Sequence, residues 1–415
     1  MTSAVVIGAG LAGLTTALRL AEAGTQVTLV TKGIGGLQLG QGTIDVLGYQ
    51  PHLVKKPLAA LDADLHDNHP YKHFSSHDMD RALRWLRATV GDELLVGDGQ
   101  RNYLLPTAAG VLRPTALAQP SMIAGEATVG KRYVIVGFNR LKDFYPDLVA
   151  QNLTRYRDSE GNRVQARSLR VDLQVRDGEE DTSGLNFARA LDKPEARQRL
   201  ADLLRNQLKP GETVGLPAVL GIKDVTAWQD IQTRLGHDIF EIPLPPPSVP
   251  GMRLNEKLMG IAKKTCRVIN GAPVTSFTAD NDHIVSVSAA SAGRPTELPA
   301  DHFVLATGGF ESGGLVMDSY ENVSEPIFGL PIAGTTDRPF TDTYWGEDQP
   351  AFLMGLNVND QMHPCEPDST LPVYSNLFAV GGLLAGATRW REKSGEGIAL
   401  VSAIVAAESM LGEQK

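Results

Sequence analysis

The sequence predicts an α/β fold whose main sheet is parallel and assembled from both ends of the chain. Three observations predict it. A short apolar run, Ala4–Ile7, leads through Gly8-Ala9-Gly10-Leu11-Ala12-Gly13 into an alanine- and leucine-rich stretch, Leu14–Ala23. A second apolar run, Phe303–Leu305, ends in Ala306-Thr307-Gly308-Gly309. Near the C-terminus, Leu377–Val380 runs into Gly381-Gly382, and Gly395-Glu396-Gly397 opens the apolar stretch Ile398–Met410. Short apolar runs bounded by glycine turns read as buried parallel strands, and the long apolar stretches read as helices.

The first segment is the most specific. Gly24 stands where a helix C′ glycine is expected, and Gln26–Thr31 is a further strand. One strand–turn–helix–strand unit therefore frames the glycines, which is the context a dinucleotide fingerprint requires. Gly8 permits the tight turn, Gly10 lets phosphate oxygens reach backbone N–H groups, and Gly13 lets helix and strand pack closely. The phosphate then lies on the positive end of the helix. An acidic residue usually closes the second strand and binds an adenosine ribose. Here the chain reads Val30-Thr31-Lys32. Three explanations stay open: Thr31 or backbone holds the ribose, Lys32 faces a phosphate, or the ligand is FMN, which has no such ribose.

Gly33 to Gly48 is a glycine-rich loop, with Gly35, Gly36, Gly40 and Gly42, suited to close approach of backbone to a ligand. From about Pro51 to Pro250 the character changes, closing on Pro245-Pro246-Pro247. This reads as an inserted substrate or cap domain. Cys266–Asn270 returns to buried-strand character, and Val274–Phe277 with Ile284–Ala289 suggests a β-meander. The expected organisation is a binding domain from 1–50, 251–310 and 371–415, an insert at 51–250, and a connecting or capping segment at 311–370.

The composition sets limits. The 415 residues are 42% hydrophobic and 21% charged, which fits a globular protein of more than one domain. A net charge of −9 offers no basic surplus for nucleic acid. Two cysteines, Cys266 and Cys365, exclude a disulfide scaffold and an iron–sulfur cluster held by this chain alone, which needs about four ligands. No basic n-region marks a signal peptide, and no run reaches the ~20 apolar residues of a membrane span. The expected place is the cytoplasm, or the inner face of the cell membrane through partner subunits.

The four glycine segments in this order resemble the two-dinucleotide-binding-domain flavoproteins. That resemblance implies a Rossmann-like FAD/NAD(P)-binding fold of the glutathione reductase and fumarate reductase type, with an inserted α+β cap or substrate domain. The helix opening near Gly397 is then expected at the flavin ring, its positive end facing charge that develops at N1 and O2. Val30-Thr31-Lys32 is similar to the fumarate reductase and succinate dehydrogenase branch. Gln41–Leu47, Asp143-Phe144-Tyr145-Pro146, Gly215–Gly221 and Leu244–Gly251 together resemble the B subunits of anaerobic glycerol-3-phosphate dehydrogenases. The family implies an FMN-type flavoprotein subunit, a separate FAD-bearing catalytic subunit and a membrane-attached iron–sulfur subunit. Together these oxidise sn-glycerol 3-phosphate to dihydroxyacetone phosphate and pass electrons to quinone.

The expected cofactor contacts are Gly8, Gly10, Leu11, Ala12, Gly13, Thr31, Lys32, Gly33, Gly42, Thr307, Gly308, Gly381, Gly382 and Gly397, with FMN as the flavin and FAD as the alternative. No catalytic group is fixed. His363 is a candidate acid or base. Arg113, Lys131 and Arg132 are candidate phosphate donors, though each reads more readily as surface charge. His66, His69, His73 and His77 have helical spacing, but Pro70 and Ser75-Ser76 interrupt it, so no metal is expected. No Gly-x-Ser-x-Gly elbow supports a hydrolase. Two rival functions remain, a self-sufficient FAD-dependent dehydrogenase or reductase and a non-redox assembly subunit.

Overall fold

The computed structural model describes residues 2–62, 65–158, 160–334, 337–343 and 346–412. The chain forms two compact units. The first comprises Met1–Gly36, Asp45–Leu86 and Leu258–Lys415, and the second Leu37–Ile44 with Arg87–Lys257. Residues 51–86, read from the sequence as part of the insert, fall in the first unit.

In chain order, the elements that position the sites are β1 (Ser3–Ile7), α1 (Leu11–Glu22), β2 (Gln26–Thr31), β3 (Arg132–Phe138), α2 (Pro146–Leu153), β4 (Gln165–Val171), α3 (Gly184–Leu191), α4 (Pro194–Arg205), β5 (Glu212–Pro217), α5 (Ala227–Leu235), β6 (Ile239–Ile242) and α6 (Val249–Thr265). There follow β7 (Arg267–Asn270), β8 (Val274–Asp280), β9 (His283–Ala289), β10 (Thr296–Pro299), β11 (His302–Leu305), β12 (Leu377–Ala379), α7 (Arg389–Glu392) and α8 (Gly395–Leu411).

The first unit is built on a five-stranded sheet in the order β12-β11-β1-β2-β7. Every neighbouring pair is parallel. Strands covered on both faces need apolar side chains on both, and Ala4 to Ile7 are all buried. Their carboxyl ends therefore lie along one edge. Helix α8 is buried along most of its length, from Gly397 to Ala407, and packs on α1. A helix that is apolar on all sides belongs in a core rather than on a surface. No helix among the described residues is long and apolar enough to cross a membrane. Strands β8, β9 and β10 form the antiparallel meander, with a third strand that the sequence reading did not include.

The second unit has its own four-stranded sheet, β4-β3-β5-β6, again parallel throughout. Its middle is organised by one buried ion pair. Arg253 on α6 sends Nη1 to Glu241 Oε2 at 2.6 Å and Nη2 to Glu241 Oε1 at 3.0 Å, with side chains 2% and 0% exposed. The remaining donors reach the Gly221 and Leu220 carbonyls and Gln119 Oε1. Glu241 also accepts from the Leu220 N–H and Ser121 Oγ. Gln119 Nε2 in turn donates to the Pro250 carbonyl. Removing one partner of such a pair strands the other as a buried charge.

Arg253→Met alone should destabilise the protein by about 3–5 kcal/mol, and the double change with Glu241→Leu should recover part of that loss. Urea unfolding of the two variants and the parent checks this. Equal losses in the single and double variants would contradict the assignment.

Candidate functional site

The carboxyl edge of the first sheet gathers three glycine turns. After β1, Gly8 has φ +115°, and its N–H donates to the Val30 carbonyl at 2.8 Å. A Cβ on Gly8 would lie 2.2 Å from the Ala306 carbonyl oxygen, and one on Gly13 would lie 1.9 Å from the Gly8 oxygen. Both glycines are thus demanded by packing. Gly10 differs: a Cβ there would meet nothing within 4 Å. It is the N-cap of α1, and no side chain caps that helix. The first-turn N–H groups, including those of Leu11, Ala12 and Gly13, therefore have no side-chain acceptor beside an open space, the arrangement that holds a phosphate.

The other two turns meet this one. A Cβ on Gly381 would stand 2.9 Å from Ala12 Cβ, and one on Gly382 would stand 3.2 Å from the Gly309 nitrogen. Gly308 takes φ +76° and Gly381 φ +80°. Just before Gly308, Thr307 Oγ1 lies beside Gly314 and is buried without a hydrogen-bond partner among the described residues. An orphaned buried hydroxyl costs about 1–3 kcal/mol, and a polar group of a ligand would satisfy it. Gly8, Gly10, Leu11, Ala12, Gly13, Thr307, Gly308, Gly381 and Gly382 thus come together at one edge.

At the end of β2, Thr31 and Lys32 both bond to neighbouring backbone. Thr31 Oγ1 donates to the Gly33 carbonyl at 2.5 Å and accepts from the Gly33 N–H at 3.2 Å. Lys32 Nζ donates to the Ser312 carbonyl at 2.6 Å, tying the strand end to the loop after β11. Beside them, Asn270 pairs in register with Thr31 at the end of β7 and is exposed. Gly397 also turns inward. Its N–H donates to the Asp45 carbonyl at 2.9 Å, and a Cβ there would lie 2.3 Å from Tyr71 Oη. Gly42 belongs to the second unit, where a Cβ would meet Pro250 at 2.5 Å.

Arg389 on α7 was missed by sequence reasoning. Its side chain is 17% exposed, and its Nη2 lies 2.8 Å from where a Gly309 Cβ would be. Acceptors near it are poor: the Leu384 carbonyl at 3.4 Å and the Glu311 carboxylate at 3.8 Å. Burial lowers its pKa from the ordinary value, and Glu311 and Glu392 oppose that. A guanidinium has five N–H donors, so this one has capacity for an anion. The only sequence signal was a cation a few residues beyond a Gly-Gly turn.

The histidines separate into structural parts. His69 Nδ1 accepts from the Tyr71 N–H at 3.1 Å, so its Nε2 carries the proton toward Glu392 Oε2 at 3.0 Å. With both nitrogens engaged, His69 is a clamp rather than an acid or base. Glu392 also takes Thr388 and Ser394 hydroxyls, which fixes the entry to α8. His73 faces Asp360, and His77 lies in the Ser76–Val90 helix. No group of metal-holding geometry occurs among the described residues. His363 bonds the Leu377 carbonyl at 2.8 Å and lies 4.2 Å from the Phe378 ring. That is the start of β12, so the structure sets His363 at the opposite end of the strand from the glycine turns. Arg113 lies in the second unit opposite Leu105, and Lys131 and Arg132 there reach the Ala124 and Pro210 carbonyls.

Comparison with known proteins follows the geometry. An FAD binding domain family matches residues 3–398. The B subunit of a probable anaerobic glycerol-3-phosphate dehydrogenase from Halobacterium salinarum is 33% identical over 97% of this chain and 96% of its own length. The B subunit of the anaerobic glycerol-3-phosphate dehydrogenase of Pectobacterium atrosepticum is 29% identical over 99% of this chain and 98% of its own. Among solved structures, the open conformation of a flavocytochrome c3 fumarate reductase aligns over 98% of this chain and 78% of its own, at 12% identity and a TM-score of 0.44, too slight a likeness to argue from.

Two outcomes follow from the site. Gly10→Val should leave the unfolding midpoint near that of the parent but lower flavin content at least about tenfold, because its side chain enters the space kept for phosphate. Gly13→Val should fail to give folded protein at all. A yellow, fully loaded Gly10→Val would sink the phosphate assignment.

A further outcome concerns pH. Burial lowers the pKa of both His302 and His363 from the ordinary value. The unfolded chain then binds more protons than the folded one in the window below about 6.5. Stability should therefore be full above that value and fall as pH drops through the lowered pKa values. Thermal melts from pH 8 to 5 should show the midpoint falling, and less steeply in His302→Gln. A midpoint flat across that range would contradict the argument.

Proposed function

Because the chain belongs to the family of anaerobic glycerol-3-phosphate dehydrogenase B subunits, flavoprotein oxidoreductase subunits with an FAD-binding domain, we propose that it draws electrons from sn-glycerol 3-phosphate at the glycine edge of its first unit. The product is dihydroxyacetone phosphate, and the electrons pass to another subunit. The observation that carries this reading is the meeting of three glycine turns around an uncapped helix start, an unpartnered Thr307 hydroxyl and an under-satisfied Arg389.

A flavin held there supplies a two-electron acceptor. The chain's own groups divide the remaining work. The first-turn N–H groups of α1 would hold its phosphate, and Thr307 Oγ1 would offer it a hydrogen bond. Arg389 takes the substrate phosphate, for which a guanidinium is well shaped. Converting the secondary alcohol to a ketone removes a hydride from carbon, which the flavin would accept, and a proton from oxygen, which would pass to solvent. His363 bonds the Leu377 carbonyl at the start of β12, and this reading gives it no role in that step.

FAD is the flavin this reading favours. FMN was inferred from the missing acid after β2, and the matching family is one that binds FAD. Thr31 and Lys32 bond to neighbouring backbone, so they neither identify nor exclude a ribose. Asn270, at the same edge, offers a ribose an amide donor and acceptor in place of the carboxylate. Two cysteines cannot hold a cluster. On this reading the electrons leave through a partner, an iron–sulfur subunit attached to the membrane.

Anaerobic addition of sn-glycerol 3-phosphate should bleach the flavin absorbance. In Arg389→Met the half-saturating concentration should rise about tenfold or more, with flavin content unchanged. Mass analysis of the released cofactor should give FAD. Absence of bleaching in the assembled complex would overturn the substrate, and a flavin without adenine would restore FMN.

A further inference from the structure

We propose that a basic cleft on the second unit docks an acidic segment of a partner protein. The cleft has a volume of about 490 Å³ and lies along α3 and α4. Its charged and polar lining is Arg176, Asn186, Arg189, Lys193, Glu195 and Arg199, four cations against one carboxylate. The chain as a whole carries −9, so this concentration of positive charge runs against the molecule's own balance.

Neighbouring acids are already committed. Glu179 pairs with Arg176 at 2.7 Å, Glu180 with Arg140 at 3.2 Å, and Asp181 with Lys142 at 2.8 Å. Asp192, immediately before Lys193, turns away. Its Oδ1 accepts the N–H groups of Ile222, Lys223 and Asp224 at 2.9, 2.9 and 3.0 Å. Arg197 on α4 faces inward onto Asp224 and Asp230. Arg189, Lys193 and Arg199 are exposed and form no ion pair among the described residues.

Local physics favours Arg189, in the last turn of α3, but not Lys193. Lys193 is the N-cap of α4, and no side chain caps the helix. Ser, Thr, Asp or Asn would suit that position, and the helix dipole opposes a cation there. Pro194 at N1 and Glu195 in the first turn support the helix start, yet a cation is kept at its cap, which points to a use outside the fold. The chemistry of the use follows from the shape. Small-molecule sites converge a few polar groups within mostly apolar walls. Here the cations sit on exposed, flexible stems around an open cleft, which suits electrostatic capture of a carboxylate-rich chain and its orientation.

This proposal goes beyond the flavin chemistry and does not depend on it. The test uses full-length protein and fluorescein-labelled decaglutamate, read by anisotropy. Binding should weaken at least about tenfold between roughly 50 and 300 mM NaCl. It should be lost in Arg189→Glu/Lys193→Glu/Arg199→Glu, while flavin content and thermal midpoint stay unchanged. A control reversal at Lys263, Lys264 and Arg267 should leave binding within about twofold of the parent. Four results overturn the proposal. These are no binding, equal binding by the cleft variant, full competition by an equal concentration of inorganic tripolyphosphate, or capture by phosphatidylglycerol vesicles through the same three residues. A concentration-dependent dimer abolished by the cleft variant would also overturn it, by giving the cleft to a second copy of the chain.

Discussion

The first unit depends on backbone lying against backbone with no Cβ between. Gly8 sits on the Ala306 carbonyl, Gly13 on the Gly8 carbonyl, Gly35 on the Ala9 carbonyl and Gly314 on the Gly308 carbonyl. Side chains at these places would stand about 2 Å from oxygen atoms, well inside contact distance. This close packing draws the ends of β1 and β11 and the following turns into one edge. It also leaves the first turn of α1 without a side chain of its own in front of it. The same constraint therefore makes the fold and clears the site. Gly10 shows the difference between the two roles, since its missing side chain would touch nothing.

That division explains what the sequence could disclose. A glycine forced by packing and a glycine kept for a ligand look alike as letters, but their spacing after a strand and before a helix is legible. The parallel sheet, the buried α8 and most of the edge follow from such spacing. Gly397 shows how the two kinds of glycine overlap. It has the right neighbours in sequence, yet Tyr71 and Asp45 explain its missing side chain. Arg389 and Asn270 were invisible because nothing local marks them. Arg389 acquires meaning only from Gly309, far from it in sequence, and Asn270 only from strand pairing with Thr31.

The middle motifs teach a related lesson. They carried the family resemblance, and in the structure they pack. Gly137 makes room for Pro146, Gly215 for the Phe240 ring, and the Leu220-Gly221 carbonyls bind Arg253. Pro250 and Gln119 extend the same network. A buried ion pair of this kind is weak evidence for added stability, because desolvation offsets attraction. Its effect is to make alternative arrangements of these segments costly. A family signature can thus identify a protein reliably while naming few residues that touch its substrate.

Electrostatics at the glycine edge is accordingly spare. Lys32, the nearest lysine by sequence, is spent on the Ser312 carbonyl. The phosphate of a bound flavin would meet the partial charges of a helix start rather than a cation, which suits a ligand meant to stay. On the proposed function, a phosphorylated substrate must arrive and leave, and it approaches a chain of net charge −9. Salt screens that repulsion beyond about 8 Å, so steering by the whole molecule cannot bring the substrate in. What matters is a cation at short range in a partly desolvated place. Arg389 meets that description because its partners are weak: Glu311 at 3.8 Å is close enough to soften the charge and too far to consume it. An arginine fully paired at rest would have to break a strong contact before binding anything. One left under-satisfied gives its hydrogen bonds to the incoming phosphate at little cost.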